Sequence, residues 1–296
     1  MADYGPLEFQ APDFATTGAR EMPVPRPLVT VVIAAYQERR YIHACLRSLI
    51  EQSYPRLEIV VVDDGSTDGT ADIVERFRGI RLLRQSHLGA GVARNLGARE
   101  SAGDVLVFLD GDMVFPRPFI ERLVEPILDG QATGTFTKEI MVANPDRRWA
   151  RAHMLGRELP PDCHFPPDFP DWWENFRAIK RSAFESVGGF DRVGHGEDVT
   201  LGLKLGEHAV AAPGTVCWHF EPDTLRDIFA SARWLGRGER LRETGRRTSL
   251  RPWRLARTAL SVAVANRMPS LFVYRLVWDT GVLFGWLTRN VRPSTK

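Results

Sequence analysis

The chain alternates short apolar runs with amphipathic stretches from Leu28 onward. Three apolar runs are typical of buried strands and cover residues 28–35, 57–62 and 105–109, and a shorter strand is expected over residues 80–83. A helix is predicted after each of the first three strands. The first covers residues 41–50, where apolar residues recur at helical spacing; the second runs from a cap at Ser66 or Thr67 to Phe77; and the third covers residues 90–100. These repeated β-then-α units predict an α/β fold with a mostly parallel, doubly wound central sheet and flanking helices.

The second half of the chain is less regular. Residues 144–176 contain six prolines and many aromatic residues, which predicts a long ordered loop region. Further helices are expected from Arg181 and from Glu197, and a strand pair over residues 209–218. Three parts are therefore expected: an extended leader over residues 1–27, an α/β domain over residues 28–222, and a helical C-terminal extension over residues 223–296.

The extension is arginine-rich up to Arg247 and ends in an apolar stretch over residues 268–287. Arg275 and Asp279 near its middle would each cost roughly 2.5–3.5 kcal/mol at a bilayer centre, so we do not expect it to span a membrane. A helix that packs on the protein or lies at a membrane interface is favoured. Such a helix would allow a peripheral contact at the inner face of the plasma membrane, or pairing into a homodimer.

Charge and cysteine usage exclude several classes of protein. The net charge is only +2 and the strand ends are acidic, so nucleic acid is not expected as a partner. The three cysteines form no C-x-x-C pair, which favours a reducing compartment. The N-terminus has no apolar run of the kind found in a signal peptide. We therefore expect a cytoplasmic protein.

Polar residues follow three of the predicted strands, at Gln37-Glu38, Asp63-Asp64 and the Asp110–Asp112 tripeptide. Ligands of doubly wound sheets bind beyond the carboxyl ends of the strands. Two carboxylates one residue apart can hold a hard divalent cation such as Mg²⁺ or Mn²⁺, which would bridge the phosphates of a donor. A solvated polar turn is the alternative for the same tripeptide.

Six short segments occur in the order found in family 2 glycosyltransferases, which the chain resembles from about Leu28 to Phe220. They are VTVVIAAYQE (residues 29–38), IVVVDDGSTD (59–68), GAGVARNLG (89–97), VFLDGD (107–112), GGFD (188–191) and GED (196–198). The resemblance implies a GT-A fold. It also implies an inverting, metal-dependent enzyme that moves a single sugar from a nucleoside-diphosphate donor to an acceptor hydroxyl.

The resemblance implies several donor-binding residues. The Asp63 carboxylate would accept a hydrogen bond from the nucleobase, and the imide N–H of uracil or thymine suits it, so UDP- or dTDP-sugars are favoured. Asp64 would either contribute to this contact or only cap the turn. Tyr36 and Glu38 occupy the base-side and ribose-side positions.

Three further positions on the donor side either depart from the family pattern or have an alternative explanation. Ala34 and Gln37 stand where the family usually has proline and asparagine, and this departure bears on base specificity. Ala34 still belongs to the donor-binding set. Arg94 occupies the position that contacts the nucleotide or its phosphates, where a charge-assisted pair would form. An exposed helix arginine is the alternative.

The cation site follows from the same resemblance. Asp110 and Gly111 would contact the donor, Asp110 at the ribose, and Asp110 and Asp112 would bind the metal, with Asp112 as the stronger ligand. His219 would supply a third, nitrogen ligand, or it is a histidine satisfied beside Trp218.

The general base would come from the helix opening at Glu197-Asp198. An acceptor hydroxyl must lose its proton as it attacks the anomeric carbon, and a carboxylate within hydrogen-bond reach can take it. The resemblance assigns this role to Asp198, with Glu197 supporting the acceptor. Both residues are also the first-turn acids that a helix dipole favours.

Acceptor binding is assigned to aromatic and basic residues. Trp172 and Trp173 could form a stacking platform or be core residues. Arg233 and Trp234 resemble the second half of the Gln-x-x-Arg-Trp motif of processive members of the family, whose glutamine is replaced here by Ala230. Single-sugar transfer is therefore favoured over polymer synthesis.

Two other functions share parts of this pattern. A polyprenyl-phosphate sugar synthase has the same N-terminal motifs, and the arginine-rich stretch would suit work at a membrane surface. A catalytically silent nucleotide-sugar-binding protein would not require the acids at positions 110, 112 and 198. A nucleotidyltransferase is disfavoured because its glycine-rich signature is missing after the first strand.

Overall fold

The computed structural model describes residues 26–193, 196–237, 260, 263–264 and 267–288. Most of the predicted leader, and the arginine-rich stretch beyond Arg237, lie outside these ranges. The chain divides into two compact units. The first unit is Met1–Ile140, Asp168–Arg192 and Glu197–His219, and the second is Met141–Pro167, Val193–Gly196 and Phe220–Lys296.

Strands and helices alternate through the first unit as the hydrophobic pattern predicts. The strands are β1 (Val29–Ala35), β2 (Leu57–Asp63), β3 (Ile80–Arg84), β4 (Val105–Asp110), β5 (Met113–Val114), β6 (Gly134–Phe136), β7 (Glu139–Val142), β8 (Trp172–Trp173), β9 (Ala178–Lys180), β10 (Ala209–Ala211) and β11 (Val216–His219). The helices are α1 (Ile42–Ile50), α2 (Thr70–Val74), α3 (Ala90–Arg99), α4 (Phe119–Leu128), α5 (Arg148–Gly156), α6 (Arg181–Ser186), α7 (Thr200–Leu205), α8 (Leu225–Arg237) and α9 (Ser270–Thr288), and a 3₁₀ turn (Glu197–Val199) precedes α7.

An eight-stranded sheet forms the centre of the first unit, in the order β3-β2-β1-β4-β9-β6-β10-β8. Strands β3, β2, β1 and β4 are parallel, and β6 is parallel to β10. Strand β9 runs antiparallel to β4 and β6, and β8 antiparallel to β10. The predicted α/β fold with a mainly parallel sheet, flanking helices and C-terminal helices is confirmed.

Close packing of α3 on the sheet explains one glycine of the motif at residues 89–97. A Cβ atom on Gly97 would lie 2.3 Å from a methyl group of Val32 on β1. Since such a contact is sterically impossible, only glycine lets the helix approach the strand this closely. The approach fixes the position of Arg94 one turn earlier on the same helix.

The predicted cap of α2 is wrong. The helix begins after Gly69, whose φ of 94° is left-handed, and its first amide, that of Thr70, donates to Asp68 Oδ1 at 3.0 Å. Ser66 and Thr67 instead hydrogen-bond to Gln37. These hydroxyls fasten the β2–α2 turn to the β1–α1 loop, so they are not available to the helix.

The region predicted as one long loop contains regular structure. Helix α5 and strand β8 both fall within residues 144–176. All six prolines lie outside the nine residues of α5. Their number indicated a loop, while their positions leave room for a helix between Pro145 and Pro160.

The strands predicted as a pair over residues 209–218 belong to different sheets. Strand β10 lies between β6 and β8, whereas β11 pairs with β5. Between them, Ala212 donates to the carbonyl of Phe136 and so continues the large sheet before the chain leaves it. The separation delivers His219 next to the segment that follows β4.

The second unit is built around the last helix. Glycines of α8 and α9 allow near-contact of the two backbones: a Cβ on Gly236 would lie 2.2 Å from the carbonyl oxygen of Val282, and one on Gly285 would lie 2.1 Å from that of Arg233. The apolar stretch predicted over residues 268–287 is present as α9, and one side of it packs on α8. Among the described residues, no helix has the length and apolar character needed to cross a membrane.

Replacing Gly285 with alanine should destabilise the second unit. The new methyl group would overlap the Arg233 carbonyl, and overpacking of this kind costs about 1–3 kcal/mol, more than the gain in helix propensity. Thermal unfolding followed by tryptophan fluorescence measures the effect. Thr280→Ala, at an exposed position of the same helix, is the control and should leave the midpoint nearly unchanged. Equal midpoints for Gly285→Ala and the wild type would contradict the close packing.

Candidate active site

Acidic residues meet at the carboxyl edge of the parallel strands. Asp63 ends β2 and Asp110 ends β4, on either side of β1. In the register of the sheet, Asp63 lies opposite Ala35 and Asp110 opposite Ala34. The two acids are therefore two strand positions apart, or about 9–10 Å at the usual spacing.

A network of two arginines and two carboxylates lies at this edge. Arg94 donates from one terminal nitrogen to Asp110 Oδ1 at 2.8 Å and from the other to Glu197 Oε1 at 2.7 Å. Arg177 donates to Asp110 Oδ2 at 2.8 Å. The arginine side chains are 10% and 14% exposed. Both oxygens of Asp110 and both terminal nitrogens of Arg94 are thus engaged within the protein.

Electrostatics fix the charge states of this network. Burial opposes ionisation of Asp110, but the charges of Arg177 and Arg94 outweigh it and hold the pKa of Asp110 well below its usual range. Burial also opposes the charge of Arg94, yet Asp110 and Glu197 raise its pKa. For Glu197, burial dominates and raises its pKa despite Arg94. Asp110 is therefore ionised throughout the physiological range.

A second, more acidic cluster begins two residues further on. Asp112 Oδ2 lies 3.4 Å from Nε2 of His219, the last residue of β11, which pairs with Met113 of β5. Burial, followed by the charge of Asp112, raises the pKa of Glu38 well above its usual value. A Cβ on Gly111 would lie 3.0 Å from Glu38 Cγ, so the glycine admits this carboxyl group. The cluster offers oxygen and imidazole ligands in a negative field.

The 3₁₀ turn carries Asp198 on the same side of the network. Asn175 is 6% exposed and donates from Nδ2 to Asp198 Oδ2 at 2.8 Å. The turn is tied to α3, because Glu197 bonds to Arg94 and because a Cβ on Gly91 would lie 3.1 Å from Glu197 Cγ. The carboxylate of Asp198 is therefore oriented by an amide and linked to the strand edge.

Beyond the end of β2, an aromatic pair stands beside a fully engaged carboxylate. The rings of Tyr36 and His87 stack with centroids 4.0 Å apart. His87 Nδ1 lies 2.9 Å from Asp64 Oδ2, and the amides of Leu88 and Gly89 donate to the same carboxylate. Burial raises the pKa of Asp64, but these hydrogen bonds lower it overall. Asp64 therefore holds the loop before α3, and its contribution to donor binding stays a prediction.

Gln37 has a structural role that its departure from the family pattern did not reveal. Its φ of 61° is left-handed, which is unfavourable for a residue with a long side chain. Its amide group bonds to Thr67 in both directions, and its backbone N–H donates to Ser66. These three hydrogen bonds keep the β1–α1 loop in place beside Tyr36.

The predicted acceptor platform is not brought to the acids. Trp173 packs on Phe136 and Phe169 in the core of the first unit, with ring centroids 5.8 and 6.0 Å apart. Trp172 is 55% exposed and meets His208 edge to face. Strand β8 is four positions from β4 in the sheet, or about 19 Å. The alternative interpretation of core packing therefore fits Trp173.

The remaining acceptor candidates lie in the second unit. Arg233 and Trp234 are on α8, where the Arg233 guanidinium lies 5.1 Å from the centre of the Phe284 ring. Trp234 is 44% exposed. Their part in acceptor binding stays a prediction.

Three residues of the site escaped the sequence analysis. Asn175 falls in the segment predicted as a loop, and Arg177 directly follows it at a position that no prediction covered. His87 lies between β3 and a glycine-rich turn and had no motif to mark it. The antiparallel pairing of β9 with β4 brings Arg177 to Asp110, and nothing in the sequence around Arg177 indicates that pairing.

The chain was compared with known proteins. The family model described as Glycosyl transferase family 2 matches residues 30–188, which is more than half of the chain. "Probable glycosyltransferase YdaM" from Bacillus subtilis strain 168 is 30% identical over 224 residues, covering 68% of this chain and 52% of its own. "Glycosyltransferase AglE" from Haloferax volcanii is 38% identical over 108 residues, covering 34% and 36%. The chain thus spans about half, or less, of these curated relatives.

Solved structures share the fold. Mannosyltransferase PcManGT from Pyrobaculum calidifontis, in complex with GDP-Man and Mn²⁺, superposes with a TM-score of 0.53 at 23% identity, covering 90% of this chain and 88% of its own. TarS 1–349 from S. aureus, in complex with UDP, has a TM-score of 0.51 at 17% identity, with coverages of 71% and 64%. With the matched family model, the ordered motifs and this fold, the chain belongs to glycosyl transferase family 2.

Proposed function

We propose that the protein is an inverting, metal-dependent glycosyltransferase that moves one sugar from a nucleoside-diphosphate donor to an acceptor hydroxyl. The observation that carries the proposal is the bridge from Glu197 through Arg94 to Asp110, which joins the Asp198 turn to the acidic strand edge. Donor-side and base-side acids thereby belong to one connected cluster. Complexes of similarly folded proteins with GDP-Man and Mn²⁺, and with UDP, support a nucleotide-sugar donor.

The nucleobase would bind at the Tyr36 end of the cluster. Asp63 is buried at the end of β2 and accepts a 3.3 Å bond from the Ser66 amide at one oxygen, Oδ1. Its carboxylate suits the imide N–H of uracil or thymine, so UDP- and dTDP-sugars remain the favoured donors. The Tyr36–His87 stack offers an aromatic face beside it.

A divalent cation, Mn²⁺ or Mg²⁺, would be held by Asp112 and His219. The residues fit such an ion, because a carboxylate oxygen and an imidazole nitrogen already lie 3.4 Å apart. Glu38 lies in the same cluster, where burial and then the charge of Asp112 raise its pKa. Asp110 would need to release an arginine to serve as a ligand, so we assign it a secondary role. When bound, the ion neutralises charge on the departing diphosphate.

Asp198 would act as the general base of a single displacement. The acceptor oxygen forms a bond to the anomeric carbon while the bond from that carbon to the diphosphate oxygen breaks, and the diphosphate leaves with the electron pair. The hydroxyl proton passes to the carboxylate of Asp198. Asn175 holds Oδ2, so it would leave Oδ1 directed to the acceptor. Configuration at the anomeric carbon inverts because the attack is direct.

We predict that Asp198→Asn abolishes most transfer while donor binding persists. The amide keeps the shape of the carboxylate but cannot take a proton, so kcat should fall by about 10²–10⁴. Turnover with a nucleotide-sugar panel and donor affinity by calorimetry test this. Glu185→Gln removes an exposed carboxylate of α6 and should behave as the wild type. Wild-type turnover by Asp198→Asn would overturn the base assignment.

Asp112→Ala should remove the metal dependence of donor binding. Without this ligand, donor affinity in Mn²⁺ should approach the affinity measured in chelator. Calorimetric titration of UDP with and without Mn²⁺ measures the difference. Asp129→Ala, an exposed acid after α4, should keep the wild-type response. If Asp112→Ala bound Mn²⁺ and donor normally, the metal assignment would fail.

Asn175→Ala should lower kcat more than it changes the KM for the donor. The substitution removes a bond that orients Asp198, and misplacement of a catalytic group by about 1 Å can cost about 10²-fold. Steady-state kinetics in both substrates separate the two constants. A merely structural defect would lower the unfolding midpoint and the active fraction instead. The assignment is contradicted by a variant with normal kcat.

A further inference from the structure

One face of α9 presents apolar side chains to solvent. Val273, Leu276, Phe284 and Leu287 are 39%, 40%, 43% and 60% exposed. With the exposed Thr280 they fall within about 80° of the helix circumference, at 100° per residue. No charged residue lies in this arc. We call these five residues the outer stripe.

The opposite face of α9 accounts for the fold of the second unit without the outer stripe. Leu271, Tyr274, Gly281 and Gly285 are buried there against α5 and α8. The helix is therefore apolar on two sides. The inner side is covered, whereas on the outer side only Phe284 has described ring contacts, with Phe229 at 6.0 Å and the Arg233 guanidinium at 5.1 Å, and Val273, Leu276 and Leu287 are exposed. Helices that are apolar all round are ordinarily buried on all sides, so the outer stripe indicates a docking surface.

Charged groups of α9 leave the outer stripe clear. Arg275 and Asp279 pair at 3.0 Å and lie about 100–140° around the helix from the centre of the stripe. A flat apolar phase could thus receive the stripe without burying this ion pair.

The charge of the preceding sequence indicates what kind of partner would bind the outer stripe. Residues 237–267 contain nine arginines and two glutamates, with no lysine or aspartate, a net charge of +7 (9 − 2). A second copy of the chain would bring a second positive segment and be repelled. An anionic lipid surface would attract the segment, by about 1 kcal/mol for each arginine near the headgroups.

We propose that the outer stripe docks on an anionic lipid bilayer. The helix would lie in the plane of the interface with Val273, Leu276, Phe284 and Leu287 among the headgroups and upper acyl chains. This inference is independent of the proposed transferase activity, since it concerns residues of the second unit alone.

Co-sedimentation of the full chain with vesicles tests the proposal. We expect binding to vesicles of phosphatidylcholine mixed with phosphatidylglycerol, weaker binding to phosphatidylcholine alone, and loss of binding as salt is raised. The double variant Leu276→Ser/Leu287→Ser should bind anionic vesicles at least about tenfold more weakly, because two exposed leucines no longer enter the apolar phase. Its unfolding midpoint should be unchanged, since both side chains are exposed.

Leu203→Ser is the matched control, because Leu203 is 62% exposed in the first unit. It should bind vesicles as the wild type does. The proposal is overturned by a wild-type protein that ignores anionic vesicles, by a double variant that binds them normally, or by a Leu203→Ser that binds as weakly as the double variant. Light scattering tests whether a second copy of the chain binds the stripe instead. A wild-type dimer that becomes monomeric in the double variant would identify a second copy as the occupant and overturn the lipid proposal.

Discussion

A buried, charge-balanced network holds the candidate site together. Arg94 reaches Glu197, 103 residues away, and Arg177 reaches Asp110, 67 residues away. Each charge has its counter-charge within hydrogen-bond distance, so burial is tolerated. Loss of one member would leave an uncompensated charge, at a cost of about 3–5 kcal/mol. The strand edge, α3, the 3₁₀ turn and the segment before β9 are therefore obliged to meet.

Two neighbouring acids of the Asp-Gly-Asp tripeptide end in opposite electrostatic surroundings. Asp110 is ionised and lies between two guanidinium groups, which balance its negative charge. Asp112 lies beside His219 and near Glu38, whose pKa is raised by burial and then by the charge of Asp112. A cation gains more from the second environment than from the first. The tripeptide thus separates a structural carboxylate from one that is suited to a metal.

The hydrophobic pattern predicted β1, β2 and β4 because each is a continuous buried run, and it predicted β3 from a shorter, half-buried run of alternating exposure. It did not reveal α5, since the surrounding prolines dominated the composition, nor the separation of β10 from β11. The order of the motifs predicted the acidic site residues. Those at the strand ends lie at one edge of the sheet because the strands that carry them are parallel neighbours. Arg177 and Asn175 could not be found this way, because their roles arise from antiparallel pairing and from contacts across the sheet. For Trp173 the sequence left a ligand platform and core packing open, and the structure packs it, partly buried, against Phe136 and Phe169.

The bare backbone at Gly91 has a consequence for how the site can evolve. With no side chain there, the turn bearing Asp198 sits directly on the first turn of α3. A larger residue at position 91 would push against the Glu197 side chain and displace the turn from the helix. In the proposed reaction, such a change would alter the distance from the donor side to Asp198, so variation in acceptor choice is expected at other positions. The residues that would carry out the transfer and those that would choose the acceptor could then vary independently along the chain.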